Sequence, residues 1–183
     1  MKNLFKKKIG AYEVAVLISM TVSDEISYIE KHVENYCKKE SRLLKHKAKM
    51  LDEAQWLADA CGIAILAVQY PDIVPDVIKQ LMKVYISIDE HNGGGTMFSS
   101  DKMEDVFQSL LGYLQEFLKG VDEGGGKDSF ARGQVYLCDV YNLKIFGGYP
   151  KPGSVIDNYT RELSDHFFIL FDKKLSTFKI KNS

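Results

Sequence analysis

Residues 99–127 read SSDKMEDVFQSLLGYLQEFLKGVDEGGGK, and this stretch decides the fold class. Met103, Val106, Phe107, Leu110, Leu111, Leu114, Phe117, Leu118 and Val121 recur every three or four positions, the period of one face of an α-helix. Ser99, Ser100 and Asp101 offer capping oxygens at its start, and Gly124-Gly125-Gly126 stop it. A second triplet, Gly93-Gly94-Gly95, separates it from the helix before.

That preceding helix begins near Pro75, whose missing N–H costs nothing in a first turn, and continues through Val77, Ile78, Leu81, Met82, Tyr85 and Ile88. Further back, Ala15, Ile18, Val22, Ile26, Ile29, Val33 and Tyr36 form one apolar stripe over residues 10–36. Another segment runs from about Glu40 through Leu44, Ala48, Leu51, Ala58 and Gly62, then turns apolar on every side and so belongs in the core. A strand over residues 63–70 is the alternative, and Pro71 ends either form.

On the carboxyl side, residues 134–146 fit a strand by composition and a helix by the spacing of Val135, Cys138, Tyr141 and Ile145; the helix is preferred. Gly147 to Gly153 form a loop, and Ser154 with Asp157 resembles a helix cap. Ile156, Tyr159, Leu163, Phe167, Leu170, Phe171, Leu175 and Phe178 give the last helix its buried face. The expectation is an all-α, single-domain bundle of five or six helices over residues 1–183, with glycine-rich connections and a basic, mobile segment at residues 1–9.

A chain of 183 residues buries enough surface to fold without metal or disulfide. Cys37, Cys61 and Cys138 are odd in number and form no C-x-x-C pair, which points to a reduced, cytoplasmic setting. Lys2 and Lys6 to Lys8 precede an apolar stretch faintly like a signal peptide, but Glu13 interrupts it and no cleavage site follows. The longest apolar run, residues 60–68, falls far short of the roughly 20 residues of a membrane span. The Lys-rich, Pro-poor composition is of a bacterial kind.

Charge is layered along the chain. Residues 1–49 carry 11 Lys+Arg against 6 Asp+Glu, residues 50–128 carry 5 against 14, and residues 129–183 carry 8 against 5. An acidic centre between basic flanks argues against nucleic-acid binding, which wants Lys and Arg gathered on one face. If the helices before and after Gly93–Gly95 pair antiparallel, Asp72 and Asp76 approach Asp122, Glu123 and Asp128 at one pole. These five carboxylates are the expected partner-binding residues. Acids in a first turn also simply complement the helix dipole.

Motifs for chemistry are missing. Neither glycine triplet has the Lys-Ser/Thr ending of a phosphate loop, and the carboxylates around Gly124–Gly126 repel phosphate. A di-metal bundle needs Glu-x-x-His pairs, which the chain lacks; Glu162 stands four before His166, and Asp89-Glu90-His91 is a single cluster. His32, His46, His91 and His166 read as solvated surface residues; Lys38 and Lys39 beside Cys37 would lower its thiol pKa, but its place at a helix C-terminus works against a thiolate. No G-x-S-x-G elbow, H-E-x-x-H helix or dinucleotide fingerprint occurs.

The expected role is a non-enzymatic protein-binding module, with no cofactor, metal or catalytic residue, of the inhibitor or immunity type, binding a basic protein partner. The alternatives are a small-molecule or lipid-binding bundle, an enzyme with a site assembled from scattered residues such as Glu162, His166 and Cys37, or attachment to a membrane surface by the basic amino terminus. Homo-oligomerisation is also open, since a self-associating helix face reads like a core face.

Overall fold

The computed structural model describes residues 6–91 and 100–181, with the side chains of 100–103 also outside the description. Gly93–Gly95, Phe98 and Ser99, together with the side chains of the cap candidates Ser100 and Asp101, therefore fall outside what it describes. The chain is all-α, with seven helices among the described residues where five or six are expected. They are α1 (Ala11–Asp24), α2 (Ile26–Lys39), α3 (Lys47–Gln69), α4 (Val74–His91), α5 (Ser100–Gly124), α6 (Ser129–Phe146) and α7 (Val155–Leu175).

The extra helix comes from a break at Glu25, where the apolar period runs on unbroken. The Glu25 N–H bonds to both the Thr21 and Val22 carbonyls, closing α1 with no glycine or proline. Packing explains the break: Val14, Ala15, Ile18 and Val22 face chiefly α4, whereas Ile29, Val33 and Tyr36 of α2 face α3 and α7. One straight helix could not serve both sets of neighbours.

The segment expected from Glu40 opens as a 3₁₀ turn, Ser41–His46, before α3 begins. From there α3 runs to Gln69, so residues 63–70 are helical apart from Tyr70, and the strand alternative is excluded. Trp56 to Leu66 are all buried, and α3 touches every other helix. An all-round apolar sequence is what a central helix requires. Residues 134–146 are likewise helical, within α6.

Along α5, Val106, Leu110, Leu114 and Phe117 are buried as their spacing demands, but Leu118 is exposed and Tyr113 takes a core position. Burial of Tyr113 is made possible by its hydroxyl, which donates to the Glu53 carboxylate at 3.0 Å. α5 and α6 form the most extensive helix pair, and glycines let them approach. A Cβ on Gly120 would lie 2.7 Å from the Arg132 carbonyl oxygen, and one on Gly133 would lie 2.8 Å from that of Phe117.

Glycine marks only two of the described helix-to-helix connections. Gly124 is the last residue of α5, and Gly125 and Gly126 adopt φ of 58° and 57°, the left-handed region that suits glycine. Gly147 caps α6 at φ 73°, and Ser154 accepts from the Asp157 N–H at 3.2 Å to start α7, the capping arrangement expected. The joints α1–α2, α2–α3 and α3–α4 contain no glycine.

The basic amino-terminal segment is also placed in part. Lys8–Ile9 (β1) pairs in parallel with Lys179–Ile180 (β2), with Ile9 and Ile180 buried. The last helix correspondingly ends at Leu175, so Phe178 lies in the turn before β2 rather than in the helix. Among the described residues, no helix is long and apolar enough to cross a membrane.

Candidate partner-binding surface

All five expected acids are exposed. Asp72 lies in the 3₁₀ turn Pro71–Ile73 and Asp76 in the first turn of α4, whereas Asp122 and Glu123 end α5 and Asp128 precedes α6. The two groups sit on different pairs: α4 packs mainly on α1, α5 mainly on α6, and α4 shares far less surface with α5. The acidic patch is therefore best defined at the α5–α6 turn.

Part of that patch is matched locally. The Tyr136 hydroxyl donates to Glu123, and the Tyr136 ring lies 5.5 Å from the Lys119 ammonium and 5.7 Å from the Arg132 guanidinium. Asp122 and Asp128 remain at the solvent edge of the turn, beside Lys127.

Groups with chemical potential lie elsewhere, and most are engaged inside the protein. Cys61 and Cys138 converge on Ser164: the Cys138 Sγ is 3.2 Å from its Oγ, and the Cys61 thiol points at its carbonyl at 4.0 Å. Burial pushes the Cys138 thiol up to about 12 and the Cys61 thiol well above its usual range. Cys37 is buried too. Desolvation raises its pKa, opposed by Lys47, and Lys38 and Lys39 do not offset that rise. A thiol so placed is a core side chain rather than a nucleophile.

Two histidines expected at the surface are packed in the α2–α7 seam. Tyr28, His32 and Tyr36 share one stripe of α2 and meet Tyr159, Glu162 and His166 of α7. His32 Nε2–H donates to the Tyr159 carbonyl at 2.9 Å, and burial lowers its pKa. His166 stacks on Tyr28 at 3.7 Å between centroids and pairs with Glu25 at 3.0 Å. Glu162 accepts from the Tyr36 hydroxyl, whose pKa rises chiefly by burial. Glu162, exposed, and His166, half-buried, thus border the seam, and Cys37 lies in the core. The helical stripe itself was the signal, since Tyr28, His32 and Tyr36 recur with the period of α2.

Two further polar clusters escaped the sequence reading. Asp59 is fully buried between hydrophobic neighbours, its two carboxylate oxygens share the single O–H of Tyr85, and burial raises its carboxyl to about 7. A lone acid inside the apolar run of α3 is its signature. Glu53 bonds Tyr113 and lies 3.4 Å from Lys144, whose ammonium also meets Ser109 and sits 4.4 Å from the Tyr113 ring centre. Desolvation lowers the Lys144 pKa, against the pull of Glu53. Among the described residues, no group of three or more His, Cys, Asp or Glu could hold a metal ion.

The surface also carries a groove of about 590 Å³ where α3, α6 and α7 meet. Ile65, Phe130 and Phe168 line it, Phe130 meeting Phe168 edge-on at 5.1 Å, and Ile169 stands beside them 71% exposed. Its polar rim is Asp165, held by Gln134, and Asp172, 3.4 Å from the Gln69 amide, with Lys173 the one cation among its lining residues. Comparison of the chain with protein-family models, with curated proteins and with solved structures gives no match.

Proposed function

We propose that this chain is a non-enzymatic protein-binding module that meets a basic protein partner through an acidic surface, as an inhibitor or immunity-type protein does. The observation that carries the reading is the α5–α6 turn. Asp122, Glu123 and Asp128 are exposed on the most extensively packed helix pair, which holds them in fixed relation. Fixed charges of one sign raise the association rate of an oppositely charged partner and select against others.

Supporting it, the side chains best suited to chemistry are used internally: the thiols on Ser164, His32 on a carbonyl, His166 on Glu25. Asp72 and Asp76 form a second, separate exposed acidic group at the start of α4. In this reading the protein works in the cytoplasm of a bacterium, where unpaired thiols stay reduced.

The test is affinity purification of the tagged protein from its own host at moderate salt, with mass spectrometry and light scattering of the complex. A stoichiometric basic partner is expected, with affinity about tenfold weaker for an Asp122→Asn/Glu123→Gln/Asp128→Asn variant at low salt. Unchanged binding by that variant at low salt would remove the acidic-surface reading. A particle free of protein partners would favour the ligand-binding alternative.

A further inference from the structure

We infer that the α3–α6–α7 groove is the docking site of a basic amphipathic helix of the protein partner. This inference rests on the binding role proposed above and names the surface and the chemistry of the segment.

Along α7, Asp165, Phe168, Ile169 and Asp172 follow one another at helical spacing on the face that lines the groove. The order is acid, two apolar residues, acid. Phe130 and Ile65 extend the apolar part onto α6 and α3, so that an inserted side chain meets carbon from three helices. Ile169, exposed and next to Phe168, carries the apolar lining of the groove out to its open side.

Charge complementarity selects the occupant. Asp165 and Asp172 are two helical turns apart, about 10.5 Å along the axis at 1.5 Å per residue. A partner helix lying along α7 matches them with Lys or Arg at positions i and i+7, and places apolar residues at i+3 and i+4 over Phe168 and Ile169. Helix-in-groove recognition reads this pattern of anchors. Phe130 also follows Asp128 by two residues, so the groove opens beside the acidic turn, and a basic segment leaving it meets Asp128 next.

The experiment uses the full chain and a fluorescein-labelled helical peptide with Lys at i and i+7 and Leu at i+3 and i+4, read by anisotropy. Saturable binding is expected, weakened about tenfold by Asp165→Asn/Asp172→Asn and by Ile169→Asp, and by Glu in place of both peptide lysines. Ile169 is largely exposed, so that variant keeps its fold, which a thermal melt checks. Equal binding of the Lys and Glu peptides, or loss only on Asp122→Asn/Glu123→Gln/Asp128→Asn, would overturn the groove assignment, and the second result would leave the acidic-surface reading standing. No binding of the peptide would also overturn it, while the host partner's response to the turn variant separately judges the proposed function. Light scattering closes the remaining route: a wild-type dimer made monomeric by Ile169→Asp would assign the groove to a second copy of the chain.

Discussion

The Tyr85 hydroxyl lies 2.8 and 2.7 Å from the two carboxylate oxygens of Asp59, in a part of the core that water does not reach. Burial holds the Asp59 carboxyl at about 7, and the bond from Tyr85 only moderates that rise. An unfolded aspartate ionises near 3.9. Between these values the native state binds a proton that the unfolded chain has released, so stability falls as pH rises from about 4 to about 7 and levels off above. The full loss is on the order of 4 kcal/mol, from about three units at 1.36 kcal/mol each. Asp59→Asn is expected to flatten this decline and to melt higher than the wild type above pH 7. Denaturant melts of both proteins from pH 4 to 8 check it; parallel profiles would show that Asp59 does not titrate in this window.

The crossing of α5 and α6 predicts opposite outcomes for two glycine-to-alanine changes. At Gly133 the added methyl meets the Phe117 carbonyl oxygen and the Val121 Cγ2, each at 2.8 Å, so the helices must separate. A loss of about 1–3 kcal/mol is expected. At Gly112, inside α5, nothing lies within 4 Å of the new Cβ, and the helix gains about 0.5–1 kcal/mol from reduced backbone entropy in the unfolded chain. Urea titration of the two variants measures both, and a shared sign would contradict the packing at this crossing.

Tyr141 donates to the Met50 carbonyl at 3.0 Å and stands 2.6 Å from the Tyr159 hydroxyl, which donates to it. Tyr141→Phe leaves the fully buried Tyr159 hydroxyl without that acceptor, at a cost of about 1–3 kcal/mol. The Tyr141→Phe/Tyr159→Phe double variant is expected to lose less than the two single losses together, because the second change removes the group that the first one strands. Strict additivity in a double-mutant cycle would mean that the two hydroxyls do not interact.

None of the three thiols is poised to react. All are buried and all have raised pKa values, Cys138 at about 12. Iodoacetamide at pH 7.5 is expected to leave the native protein unmodified and to label Cys37, Cys61 and Cys138 together once it is denatured. Selective native labelling of Cys37, followed by mass spectrometry, would reopen the case for a reactive cysteine beside Lys47.

Periodicity in the chain was enough to establish that it is helical, because each helix hides one face and the hidden positions must recur every three or four residues. The regular stripe of α5 and the all-round apolar run of α3 announced a surface helix and a central one, and Ser154 with Asp157 announced the start of α7. The break at Glu25 was invisible, because it answers to a change of neighbours and leaves the period intact.

Which polar side chains meet was decided only by the tertiary structure. His32 reaches the Tyr159 carbonyl across 127 positions, Tyr141 reaches Met50 across 91, and β1 joins β2 from opposite ends of the chain. The groove that gathers Ile65, Phe130 and Phe168 has the same origin. Composition and spacing determine which face of a helix is apolar, since that is a local matter of turn geometry and solvent. Partners are chosen by how such faces close on one another, and that choice belongs to the packed molecule as a whole.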